Sequence, residues 1–211
     1  MSVIATVVNF KTSAFVPLAL GFFGLGTGYL IYGPQELAHY PARDRKVDVT
    51  TGIWGIWMPG FLQFVTGIIL FVGLAWFGSF TQKPLYMAAV AFTAYGVHWF
   101  ALGLGRTFSG DPRPNAFMAI PFMVLSALGA IVFFGAKDNP VGALFAGLFA
   151  VYVCEFFASV RVPSAESRVP SARYEFWGRA LGFVHIVVGL WLMYLTTAAV
   201  LNFARGFNLP L

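Results

Sequence analysis

Charge is scarce in this sequence: 10% of its 211 residues are Asp, Glu, Lys or Arg, against about a quarter in soluble globular domains. So few polar groups cannot cover a surface in water. An ordinary soluble enzyme is excluded, and with it a disordered chain and a nucleic-acid binder. Cysteine is nearly absent, and the single Cys154 rules out a disulfide framework and a cysteine-ligated metal cluster. Period-two alternation of apolar and polar residues is missing, which argues against a membrane β-barrel. The sequence has no Ser-His-Asp arrangement, no His-Glu-x-x-His and no carboxylate cluster. Neither an enzyme with catalytic residues, nor a metal, nor a cofactor is therefore expected.

Apolar side chains are abundant instead, at 59% of the chain, with aromatics at 18%. Apolar stretches of about 17 to 25 residues read as membrane-spanning helices. Six occur, at about 15–32, 53–77, 85–104, 116–136, 141–160 and 177–203. Gly33-Pro34, Lys83-Pro84, Asp111-Pro112-Arg113-Pro114 and Asp138-Asn139-Pro140 punctuate them. The expected fold is an all-α integral membrane protein, a bundle of six transmembrane helices forming one domain over 1–211. It would be multi-pass in a cell (inner or plasma) membrane, with the lipid bilayer around it. The first stretch is too long for a signal peptide and no small-x-small cleavage site follows it.

Basic residues are unevenly distributed among the connections. Lys11, Lys83, Lys137 and Arg205 share a side with the termini. Arg43, Arg45, Lys46, Arg106, Arg113, Arg161, Arg168, Arg173 and Arg179 fall on the other. The positive-inside rule then puts the first, third and fifth loops in the cytoplasm. The fifth loop repeats Arg-Val-Pro-Ser-Ala at 161–165 and 168–172, which reads as a turn-rich connection.

Small residues mark the inward faces, because they let helix backbones approach closely. Gly21, Gly24 and Gly28 recur at steps of three and four in the first span, and Gly178, Gly182 and Gly189 at steps of four and seven in the sixth. His185, three residues after Gly182, lies on that glycine face and points into protein. Gln63 shares a face with Gly60 and Gly67. His98 shares one with Tyr95, Trp99 and Leu102, and Glu155 one with Leu148, Val151, Tyr152 and Ser159. Four polar groups thus lie at membrane depth: Gln63, His98, Glu155 and His185. Ionisable groups there are costly unless paired or wet, so Glu155 is protonated, paired or hydrated. Each of these residues can also be read as tying helices together. Trp54, Trp57, Trp76, Tyr174 and Trp177 fall near span ends, where interfacial aromatic belts are expected.

Several motifs resemble the acetate uptake transporter family, the succinate–acetate permease type. The first span opens Val16-Pro17-Leu18-Ala19-Leu20-Gly21-Phe22-Phe23, similar to the family's helix-one signature, although Ala14-Phe15 stands where the family starts Asn-Pro and Phe22 replaces a small residue. The third reads Ala91-Phe92-Thr93-Ala94-Tyr95-Gly96-Val97-His98-Trp99, similar to the family's helix-three motif, with His98 where the family has Phe. Gln63 and Gly67 match a Gln and Gly pair, and Asn202, Gly206 and Leu209-Pro210 resemble the C-terminal pattern. The resemblance implies six helices per protomer, a homo-oligomer (a hexamer) and a pore through each protomer. It implies transport of small carboxylates such as acetate or succinate, linked to protons. The family's termini are expected in the cytoplasm, opposite to the basic-residue count.

Carried onto this chain, the substrate path comprises Pro17, Leu18, Leu20, Phe23, Gln63, Thr93, Tyr95 and His98, with Glu155 and His185 as a proton relay. Gln63, Thr93 and Tyr95 are neutral donors suited to a weak, transient site, and His98 can hold a proton near neutral pH. Two other readings stand beside this one. One is a non-transporting accessory subunit of a membrane complex. The other is a haem-binding membrane subunit using His98 and His185 as axial ligands.

Overall fold

A computed structural model describes residues 14–160 and 172–210. The repeated Arg-Val-Pro-Ser-Ala segment lies almost wholly outside the described residues. Among the described residues, six helices are long and apolar enough to cross a membrane: α1 (Phe15–Ala38), α2 (Arg45–Trp76), α3 (Pro84–Thr107), α4 (Pro114–Gly135), α5 (Asn139–Val160) and α6 (Ala172–Arg205). The chain is a multi-pass, all-helical membrane protein.

Each helix packs on the next, and α6 closes back on α1, so the six form a ring. Glycines set the spacing. Gly21 of α1 abuts the Phe92 ring of α3, Gly24 and Gly28 abut Leu62 and Pro59 of α2, and Gly33 abuts α6 at Gly182. On the α2–α3 seam, Gly52 meets Gly103, Gly60 meets Phe100, and Gly96 lies against the Phe64 backbone. α4 and α5 form a hairpin in which Gly129 and Gly142 seat Phe145 and Phe134. In a bilayer there is no hydrophobic drive between helices, so such close backbone contact supplies the attraction. The outer faces carry Phe117, Ile120, Val124, Leu128 and Ile131 of α4, all exposed as lipid contact requires.

Helix ends follow local chemistry. Pro84 and Pro114 open α3 and α4, where the missing N–H costs nothing. Asp138 starts α5 by accepting a hydrogen bond from the Val141 amide at 3.1 Å. Asp44 starts α2 in the same way, accepting from Val47 at 2.8 Å. This cap carries the second span back to Arg45, well before the expected residue 53. Pro59 sits in a widened π-helical stretch, Ile56–Phe61, which spares a hydrogen bond that its ring could not make. At the C-terminus, Asn202 donates to the Leu209 carbonyl at 2.9 Å and accepts from the Leu209 amide at 2.8 Å. The Asn, Gly and Leu-Pro pattern is thus a clamp that folds the tail onto α6, with Gly206 at φ 70° making the turn.

One boundary needs correction. Gly33-Pro34 does not end the first helix, which continues to Ala38 and stops at His39 in a left-handed conformation. Gly33 packs against Gly182 there, and Gln35 and Glu36 find partners on other helices. These tertiary contacts outweigh the single backbone hydrogen bond that Pro34 removes.

Candidate functional site

Two cavities enter the ring from opposite ends. One, of about 630 Å³, lies on the side of the termini and is nearly all apolar, lined among others by Leu18, Phe22, Leu25, Phe92, Tyr95 and Leu148. The other, of about 450 Å³, opens beside the first and third loops and is polar, bordered by Tyr29, Glu36, His98, Arg106, Glu155 and His185. The same stripes serve both. On α1 the line 18, 22, 25 continues as 29, 32, 36. On α3 the line 88, 92, 95 continues as 98, 102, 106, and on α5 the line 141, 144, 148 continues as 151, 155, 158. Helical spacing therefore runs one face of three helices through both chambers.

Between the chambers lies a layer of rings. Tyr95 stacks on Phe122 at 5.5 Å and on Tyr152 at 5.8 Å, and Phe122 stacks on Tyr152 at 5.1 Å. His98 backs this layer, 4.9 Å from Phe122 and 5.7 Å from Tyr152. The Tyr95 hydroxyl is satisfied by Ser126 at 2.9 Å, so a buried phenol needs no water there.

Below the layer the polar chamber holds a charge network joining four helices. His185 Nδ1 of α6 lies 2.6 Å from Glu36 of α1, and Tyr29 stacks on the imidazole at 4.5 Å. Arg106 of α3 sits over the Tyr32 ring, 3.7 Å from Glu36 and 3.8 Å from Asp48 of α2. Gln35 accepts a hydrogen bond from Arg106 and donates one to Thr51 at 2.7 Å. Glu155 accepts from Ser159 at 3.1 Å. At the rim, Arg113 bonds Asp111 and holds its carboxyl down to about 2. At the opposite end, partial burial pushes the Asp138 carboxyl up.

The residues singled out from sequence divide by position. Leu18 and Tyr95 border the apolar chamber, and His98, Glu155 and His185 the polar one. Pro17 is buried between α1 and α2, where its carbonyl accepts a hydrogen bond from Thr66 at 3.1 Å, and it borders neither chamber. Leu20 and Phe23 are 39% and 43% exposed on the outer side of α1, away from both. Gln63 is fully buried with neither amide atom hydrogen-bonded, and Thr93 donates to the Ala89 carbonyl. These last two also lie outside the chamber walls. Glu36, Asp48, Arg106, Tyr29 and Tyr152 went unnoticed in sequence as site residues. Arg106 extends the face already identified on α3, where a loop assignment hid it, whereas Glu36 lies past a supposed helix break on a face of α1 other than that of Gly21, Gly24 and Gly28.

No protein-family model matches the sequence, and no curated protein sequence matches it. Among solved structures, one of a bacterial acetate channel, SatP, is similar at a TM-score of 0.66 and 20% identity, over 90% of this chain and 94% of that one. At that identity the likeness is one of fold: this chain has the fold of that acetate channel.

Proposed function

We propose that the chain is a diverged member of the acetate uptake transporter family and passes small carboxylates such as acetate or succinate through each protomer. The observation that carries this reading is the pair of opposed chambers on one continuous set of helix faces, parted by a single layer of rings. A solid structural bundle has no use for two deep chambers meeting at its centre. The shared fold with an acetate channel supports the choice of substrate class.

The physics follows from the linings. A carboxylate must shed water to cross the ring layer, and desolvating a full charge is expensive. An apolar constriction of this kind gates by dewetting. The His98 imidazole beside it lowers that cost by donating to a passing oxygen without trapping the anion. Protonation of the carboxylate removes the charge altogether. Glu155 and His185 would relay that proton, a reading supported by their both bordering the polar chamber. Family resemblance extends the proposal to a homo-oligomer, a hexamer, in the cell membrane.

Reconstitution in proteoliposomes tests it. Labelled acetate should enter faster than in protein-free vesicles, and an inward proton gradient should accelerate it. His98→Phe should fold and assemble as the wild type yet change the pH profile of flux. An unchanged profile removes His98 from the mechanism, and an absence of wild-type flux for every short acid tried refutes the transport reading.

A further inference from the structure

The guanidinium of Arg106 holds no carboxylate in hydrogen-bond contact. Glu36 and Asp48 approach it at 3.7 and 3.8 Å, beyond hydrogen-bond length. Each has a closer partner elsewhere: Glu36 has His185 at 2.6 Å, and Asp48 has Arg43 at 2.9 and 3.2 Å. Among the described residues, the one side-chain hydrogen bond made by Arg106 goes to the neutral amide oxygen of Gln35. A guanidinium carries five donors in a planar fork, so most of its donors are unclaimed by protein. The group is also immobilised. The Tyr32 ring lies 4.0 Å beneath it, and Gln35 is fixed in turn by Thr51. Its side chain is 13% exposed and borders the polar chamber.

We propose that Arg106 is the docking residue for a carboxylate anion in the polar chamber, taking its two oxygens on the free edge of the fork. The inference rests on the reading of this path as one for small carboxylates. A planar two-oxygen anion matches that edge where a spherical ion does not. Partial desolvation strengthens the attraction relative to water. The rigid support means that little side-chain entropy is lost on binding. Neighbouring negative charge does not forbid it: Asp48 is paired with Arg43, and Glu36 is turned toward His185 at 2.6 Å and stays 3.7 Å from the guanidinium. Glu155, bonded to Ser159, faces the same space and keeps the site weak, which a conducting path requires. Arg106 is eight residues from His98, about 12 Å along α3 at the helical rise. It therefore loads the chamber and leaves selection to the ring layer.

The test is equilibrium binding of ¹³C-acetate to the purified full-length protein in nanodiscs, followed by NMR titration, alongside flux in proteoliposomes. Arg106→Gln should raise the dissociation constant at least about tenfold, the loss of one charge-assisted bidentate contact. Arg106→Lys, which keeps the charge but loses the fork, should raise it severalfold. Arg113→Gln, at the rim and outside the chamber lining, should leave it within about twofold. If Arg106→Gln does not fold, the Lys variant decides. A folded Arg106→Lys protein with wild-type affinity and half-saturation overturns the docking role even while the wild type conducts, as does a wild type that binds no acetate. Acetate binding that depends on Arg106 in a protein with no flux supports the docking residue and refutes the transport reading.

Discussion

Asp138 shows how much one residue has to reconcile. It caps α5 through the Val141 amide, and it borders the apolar chamber. Burial in apolar surroundings disfavours the ionised form and raises its pKa, and the Val141 amide, which favours the carboxylate, offsets this only in part. An acid whose native pKa lies above its unfolded value contributes stability below the unfolded value and loses it as pH rises through the native one. Asp138→Asn keeps the cap and never ionises. It should therefore melt above the wild type at pH 7 and together with it near pH 3, measured by thermal unfolding in detergent. Arg106 and Glu36 make the complementary point. Both were visible as charges, but a charge in sequence carries no address, and their meaning came from partners far along the chain, 71 positions for Arg106 and Gln35 and 149 for Glu36 and His185.

At the level of elements, the seams depend on residues without side chains. A Cβ added at Gly182 would fall 2.7 Å from the Gly33 carbonyl oxygen and against the Leu37 amide, backbone atoms that cannot swing aside. Gly178, on the same helix, has open space around it among the described residues. Gly182→Ala should destabilise the protein by about 1–3 kcal/mol, the usual cost of overpacking. Gly178→Ala should be neutral or stabilising by up to about 1 kcal/mol, from helix propensity alone. Thermal unfolding of the two variants side by side separates a contact effect from a propensity effect. Equal melting temperatures would mean that the α1–α6 seam gives way more easily than the backbone contact implies. Both glycines sit on the face read from their spacing. The sequence did not distinguish them, because spacing identifies a face and not the depth at which another helix crosses it.

For the whole molecule, the decisive feature is the ring layer that divides two chambers of opposite character. Phe122 touches Tyr95, Tyr152 and His98 at once, so it is the hub of that layer. Phe122→Ala should join the chambers and let longer carboxylates pass, at a stability cost of about 3–5 kcal/mol for a large aromatic truncation. Liposome swelling across a series of acids of increasing length measures this. Unchanged exclusion of the longer acids would place the narrow point elsewhere.

Six spans, their apolar lengths, the proline starts and the inward faces of α3 and α5 were legible in the sequence, because each depends on residues within a few turns of one another. Helix periodicity and the cost of bare backbone in lipid determine them. The ring closure, the survival of α1 past Pro34 and the meeting of Glu36, Arg106 and His185 were decided only by tertiary structure. Those depend on which helix crosses which and at what height. Leu20 and Phe23 illustrate the difference: both fit the family's motif, yet a rotation of α1 set by glycine contacts on its other sides turns them outward.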